Sequence, residues 1–180
     1  MNIFYLSHDV NKCAREHVDK HCVKMILEYA QLLSTAHRVI DGVEGIRLSE
    51  SGRRLKTWVL PDDREDVLYK ATHVNHPSAI WARASRSNYE YLADLFIALC
   101  QEYTYRYGKT HKSSELIDML ACYPDNIPNL PFTQPTQAMP DQYKSDNSIF
   151  AYRAYYIGEK SDLFSWKNRP IPDWVPANSS

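Results

Sequence analysis

The sequence predicts a mainly α fold: a single compact domain with two long central helices, a short N-terminal extended segment, a proline-rich coil and an aromatic C-terminal tail. Three observations carry this. Two long stretches repeat apolar residues at the helical spacing i, i+3, i+4. Each opens on a capping residue and closes at a glycine. The chain has 180 residues, 44% hydrophobic and 24% charged, a size and balance that give a folded core rather than a disordered chain.

Residues 2–6 (Asn-Ile-Phe-Tyr-Leu) are rich in β-formers and read as a short strand or extended lead-in. Asp9 or Asn11 then caps a helix running to about Ile40. Val18, Cys22, Met25, Ile26, Tyr29, Leu32, Leu33 and Ala36 form its apolar stripe, and Asp41-Gly42 stops it. Residues 42–72 are less regular, with a solvated turn at Glu50–Arg54 and a short helix opening at Pro61-Asp62-Asp63. The second long helix is predicted from about Pro77 to Tyr107, with proline in its first turn and a capping residue before it. Tyr89, Leu92, Leu95, Phe96, Leu99 and Tyr103 are its buried face, and Gly108 ends it. Ser113 or Ser114 caps a short helix over residues 114–122, and Asp146 or Asn147 caps a last one to about Ile157, stopped by Gly158. Residues 123–144 hold Pro124, Pro128, Pro131, Pro135 and Pro140 and read as an ordered coil on the surface. The tail from Trp166 to Trp174 is extended and aromatic, and is expected to pack back onto the body.

Composition excludes several classes. Lys and Arg number 21 against 22 Asp and Glu, a formal charge of −1, which argues against wrapping long duplex DNA by charge alone. The four cysteines show no CxxC spacing, so neither a zinc knuckle nor a thioredoxin-type motif is present, and reduced thiols in the cytoplasm are the economical reading. No apolar run approaches a membrane span, and the N-terminus lacks the basic start of a signal peptide. The five glycines form neither GxGxxG nor GxxxxGK[ST], and no serine-nucleophile signature occurs. No cofactor and no metal are expected.

Three clusters could carry chemistry. His17, Lys20, His21, Lys24, Glu28 and Gln31 fall within about a third of the first helix's circumference, opposite the apolar stripe. Such a stripe is either a solvated face or an anion-binding wall whose clustered cations depress one another's ionisation and tune a base or an amine nucleophile. His17 and His21 stand at a chelating spacing, but HExxH is absent and the flanking lysines repel a cation. His37-Arg38 suits the negative end of that helix, and His37 also borders the apolar stripe as a hydrogen-bonded core residue. The second cluster is His73, Asn75, His76 and Pro77 at a helix N-terminus, which could accept an anion and place an acid/base near neutral pH, or simply cap the helix. Trp81, Arg83, Arg86 and Asn88 could extend it. The third is Glu102–Lys112, where Tyr103, Arg106, His111 and Lys112 interleave rings and cations as base stacking with phosphate contact requires, or as cations at a helix end above packed tyrosines do. Together they suggest a compact phosphate-bearing ligand rather than an extended basic groove.

On these residues the chain resembles a widespread family of small phage-encoded proteins. The segments that carry the likeness are Asn2-Ile-Phe-Tyr-Leu, Asp19-Lys-His-Cys-Val-Lys-Met, His73-Val-Asn-His-Pro, Glu102 through Lys112, and Met139-Pro-Asp-Gln-Tyr-Lys, spread over most of the chain. The order of parts also resembles, more distantly, the pyrimidine-dimer DNA glycosylases of the endonuclease V type. Those are small α-helical proteins with a polar first helix, an Asn-His-Pro-like turn and a long helix closing on a Tyr-Gly-x-x-His-Lys run, here Asn75-His76-Pro77 and Tyr107-Gly108-Lys109-Thr110-His111-Lys112. The resemblance implies a site combining the N-terminus, the polar face of the first helix and that turn. Two departures stand against it. The family attacks the sugar C1′ with a free N-terminal amine exposed by removing the first Met, whereas Asn2 is large enough to predict that Met1 is retained. The family's catalytic carboxylate on the first helix has no clear match: Lys24 stands near its place and Glu28 one turn on. The family is also strongly basic, which this chain is not.

Three readings follow. In the first, the protein is a phage-type enzyme acting on nucleic-acid bases, cleaving an N-glycosidic bond, with Lys20 or Lys24 as Schiff-base nucleophile, Glu28 as acid/base, and His21 and His76 beside them. His17, His73, Asn75, Trp81, Arg83, Tyr103, Arg106, His111 and Lys112 then contact the ligand. In the second, it is an anti-defence protein that binds a nucleotide-sized phosphate ligand and sequesters it, or cleaves it without metal through a pair such as His21 and His76; a cyclic nucleotide or an ADP-ribose-type immune signal fits. In the third, it is a non-catalytic interaction protein with solvated polar faces. The first two place it in the cytoplasm of an infected host cell, partnered with DNA or a nucleotide and no membrane, and leave a homo-oligomer open.

Overall fold

The structure, a computed structural model, describes residues 1–177. Among them it is mainly α, as the sequence predicts, with seven α-helices and one two-stranded sheet. The lead-in of residues 2–6 is extended but forms no strand. Ile3 to Leu6 are buried, and the Phe4 N–H donates to the Tyr29 hydroxyl at 3.1 Å instead of to a neighbouring strand.

The expected first long helix is two helices. α1 (Val10–Glu16) opens on Asp9, whose carboxylate accepts the N–H groups of Asn11 and Lys12. α2 (Asp19–Asp41) follows after His17 and Val18, both extended. A buried cation explains the break. Arg106 donates to the carbonyls of Arg15 (2.9 Å) and His17 (2.8 Å) and to Asp19 (3.0 Å), so these groups turn toward it rather than along a helix axis. The second long helix is likewise divided into α4 (Pro77–Ala84) and α5 (Arg86–Tyr107). Ser85 is extended and its hydroxyl accepts the Asn88 N–H, so it caps a fresh helix where the apolar periodicity runs on unbroken. Gly108 closes α5 in the left-handed conformation, with φ +67°.

Residues 42–72, less regular in the sequence, carry a hairpin that it does not predict. β1 (Val43–Leu48) and β2 (Arg54–Val59) form an antiparallel hairpin, paired from Val43 with Val59 to Leu48 with Arg54. Most of its side chains are exposed, so no alternating burial marks it. The turn at 49–53 and the short α3 (Arg64–Val67) stand where expected. One residue fastens this excursion to the core. Arg38, buried on α2, places all five of its guanidinium N–H bonds: on the carbonyls of Tyr69, Trp58, Glu65 and Leu68 and on the Glu65 carboxylate, at 2.6 to 3.0 Å. It is a clasp, not a solvent-facing partner of the helix end.

The core lies between α2 and α5, with α1 and α4 against them. Cys22, Met25, Ile26, Tyr29, Leu32, Leu33 and Ala36 of α2, and Tyr89, Leu92, Leu95, Phe96 and Leu99 of α5, are buried there as their spacing predicts. The predicted short helix at 114–122 is a 3₁₀ turn (residues 112–116) running into α6 (Ile117–Leu120). Its cap is His111, whose Nδ1 accepts the Ser113 N–H, rather than either serine. α7 (Ser148–Glu159) opens on Asn147. The proline-rich coil is held by buried Asn88, which accepts from Thr133 N and donates to the Trp81 carbonyl. The tail packs back: Trp166 and Trp174 donate to the carbonyl and carboxylate of Glu16, at 2.8 and 2.7 Å.

Candidate functional site

The N-terminus, α2 and the first turn of α4 meet around His76. Pro77 supplies the preset backbone angle for α4, and the His76 Nδ1 caps the helix by accepting the Ser78 N–H at 3.1 Å. That commits Nδ1 as an acceptor, so the neutral ring carries its proton on Nε2. Nε2 faces the α-amino nitrogen of Met1 at 3.4 Å. Burial holds the His76 pKa below its ordinary value, with the terminal ammonium and His73 acting in the same direction and Glu28 opposing them. Glu28, on α2, acts on the His76 ring by its charge. Its side chain is 16% exposed, its Oε2 has no hydrogen-bond partner among the described residues, and the Lys24 ammonium stands 3.6 Å away. Asn2 Oδ1 and Ser78 Oγ are also buried without partners among the described residues. An amine, an imidazole and a carboxylate in one group are the parts of a nucleophilic or acid/base site.

The sequence-predicted residues divide around this group. Lys24, Glu28 and His76 belong to it, and exposed His73 acts electrostatically on His76. Lys20 is exposed on α2, and Asn75 is exposed beside His76. Arg83, one helix face along from His76, is half-buried, with Nη1 unpartnered among the described residues and its pKa lowered by burial. Tyr103 and His111 form an edge-on ring pair at 5.2 Å, and Lys112 beside them is exposed.

Four others, and His37 with them, are core groups. His17 lies in the α1–α2 junction, not on the polar face of a helix: Nδ1 donates to the Cys13 carbonyl at 2.7 Å and Nε2 meets the Tyr29 hydroxyl at 2.8 Å. His21 stacks on Phe4 at 4.2 Å and bonds the Tyr156 hydroxyl through Nδ1 at 2.7 Å. Desolvation pushes His17 down to about 4 and His21 to about 3, so both are neutral at pH 7. Trp81 is buried and donates to the Thr133 carbonyl. Arg106 is spent on Glu102, Asp19 and two carbonyls. His37, also pushed down to about 4 by burial, accepts from Arg64 through Nδ1 and turns Nε2 toward the Cys122 carbonyl and the Tyr89 hydroxyl.

The resemblance implies the N-terminus as part of the site, though the sequence reading named no role for Met1 itself, and the Met1 nitrogen stands beside His76. Among the described residues no group of three or more His, Cys, Asp or Glu side chains is placed to hold a metal ion, and no helix is long and apolar enough to cross a membrane. All four cysteines are free thiols. No protein-family model matches the chain, and neither a curated protein nor a solved structure matches it. Fold and geometry define a mainly α protein whose Met1 nitrogen meets the His76 ring.

Proposed function

We propose that the protein acts on nucleic-acid bases or nucleotides by cleaving an N-glycosidic bond through an amine at this site. One observation carries the reading: the Met1 nitrogen 3.4 Å from His76 Nε2, with Glu28 acting on the same ring and Lys24 paired to Glu28. Glu28 takes a proton from the paired Lys24 ammonium, the neutral amine attacks the sugar C1′, and the C1′–N bond electrons leave with the base, which takes that proton from Glu28. The attacking nitrogen, now carrying two protons, returns one to Glu28 and gives the other to O4′, which takes the C1′–O4′ bond electrons as the ring opens and an imine forms. Lys24 is the side-chain amine of choice over Lys20, because it alone of the two is paired to Glu28. His76 and Arg83 orient the phosphate side of the ligand. The reading sets the protein in the cytoplasm of an infected host, as expected of a phage-type enzyme.

Borohydride trapping tests this on UV-irradiated and base-modified DNA. The expected product is a reduced covalent adduct, mapped to Lys24 or Met1 and lost in Glu28→Gln. An N-terminal extension, which carries the α-amine away from His76, separates the two amines: it abolishes a Met1 adduct and spares a Lys24 adduct. No adduct and no abasic product would sink the proposal.

The formal charge of −1 favours a second reading, a small nucleotide ligand bound or cleaved without metal as an anti-defence activity. Calorimetry against cyclic dinucleotides and ADP-ribose derivatives tests it, with absence of heat at every ligand counting against it.

A further inference from the structure

Away from the His76 group, two clefts adjoin between α1, the C-terminal half of α5 and the returning tail. Each encloses about 310 Å³, near the lower end for small-ligand pockets. Arg15 and Arg169 line both and so stand at their junction. The two arginines differ. Arg169 is engaged: it donates to both carboxylate oxygens of Glu102 and lies over the Tyr105 ring at 3.7 Å. Arg15 is exposed, and its guanidinium has no carboxylate partner among the described residues. The outer lobe adds Lys12 and a wall of Pro170, Ile171 and Pro172, flat and apolar. The inner lobe adds polar Asn11 and Gln101 and the exposed ring of Tyr105, one face of which Arg169 covers.

The outer lobe also contains an unfilled acceptor. Glu16 is 5% exposed; its Oε2 takes the Trp174 indole N–H, while Oε1 has no partner among the described residues. Burial raises its pKa, and Lys12 and Arg153 counter its charge. Asp173 is the other acid lining that lobe, and Glu102 in the inner lobe is neutralised by Arg106 and Arg169.

We propose that this double cleft binds a phosphodiester flanked by two nucleosides, with the phosphate at Arg15 and Arg169 and one base in each lobe. A cation pair between one apolar-walled lobe and one polar lobe that holds a tyrosine ring is an arrangement a dinucleotide step can use, because its charge lies between its two flat rings. A free dinucleotide and two successive nucleotides of a single strand present the same chemistry. The choice of ligand rests on the nucleic-acid reading above, but the cleft uses none of Met1, Lys24, Glu28 or His76, so binding here and trapping there fail independently.

Calorimetry and competition anisotropy with thymidylyl-thymidine, a thymidine oligonucleotide and inorganic phosphate test it. Thymine carries the N–H that Glu16 lacks a donor for. Both thymidine ligands are expected to bind, with inorganic phosphate at least about tenfold weaker. Arg15→Glu, a change at an exposed side chain, lowers both affinities by about tenfold or more, with its melting temperature unchanged. Binding of the oligonucleotide alone assigns the cleft to a strand; binding of both extends it to free dinucleotides. Failure of both ligands to bind at about millimolar concentration overturns the proposal. So does an Arg15→Glu protein that binds like the original, or phosphate binding as tightly as the dinucleotide.

Discussion

Arg38→Met replaces a buried fork of five donors with an apolar chain of similar length. In the structure that fork satisfies four backbone carbonyls, of Trp58, Glu65, Leu68 and Tyr69, and pairs with the Glu65 carboxylate at 2.6 Å. Each carbonyl left dry costs about 1–3 kcal/mol. The costs do not add in full, because the exposed hairpin can lift and admit water, and Glu65 keeps the Leu60 N–H and Lys70. The expected loss is therefore that of a broken buried ion pair, about 3–5 kcal/mol. For a chain of this length it corresponds to a fall in melting temperature of about 6–20 °C. Arg38→Lys is expected to recover less than half, since one ammonium cannot reach acceptors spread around a planar fork. Urea denaturation measures the loss. Hydrogen exchange locates it, with amides of β1 and β2 gaining exchange before those of α5. A variant within about 1 kcal/mol of the original, or exchange unchanged in the hairpin, would refute the clasp.

Arg106→Met, which leaves buried Glu102 with only Arg169 and frees the carbonyls of Arg15 and His17, is expected to cost about 3–5 kcal/mol in urea denaturation, and a loss under about 1 kcal/mol contradicts it. His17, His21 and His37 are held neutral by burial, at about 4, about 3 and about 4 in the folded chain against 6.5. Folded values below the unfolded one give stability that is whole above about pH 6.5 and lost as pH falls through it toward about 4, at about 1.4 kcal/mol per pH unit for each ring; a flat denaturation midpoint between about pH 7 and about pH 5 counts against this. Asn147→Ala removes the acceptor of the Ile149 and Phe150 N–H groups and is expected to cost about 1 kcal/mol, read as a lowered denaturation midpoint, with no change excluding the cap.

The apolar stripes of α2 and α5 were legible because they obey one periodicity and face one core. Helix breaks at Val18 and Ser85 were not, since periodicity survives a short break when the next helix packs on the same side. Ser85 could have been found, as serine is a favoured helix N-cap. The Val18 break could not. It depends on Arg106, eighty-eight positions away in the chain, drawing two carbonyls off the helix axis. The hairpin escaped for a different reason: both of its faces are largely in water, so alternation between polar and apolar residues had nothing to report.

The candidate site shows the same limit acting on chemistry. His17, His21, Lys20 and Lys24 look alike on a helical wheel, as polar groups within one sector. In space, His21 is placed between Phe4 and Tyr156, and His17 between Cys13 and Tyr29, while the lysines stand in solvent. What separates them is the count of hydroxyls within reach. The fold brings two tyrosine side chains to these imidazoles, and an imidazole that meets a hydroxyl can be buried neutral, whereas an ammonium has no neutral partner that compensates its desolvation. His76 is the imidazole that the fold leaves with one nitrogen used as a cap and the other turned to an amine. A histidine's availability for chemistry here is thus decided by how many of its two nitrogens the backbone and the tyrosines have already taken.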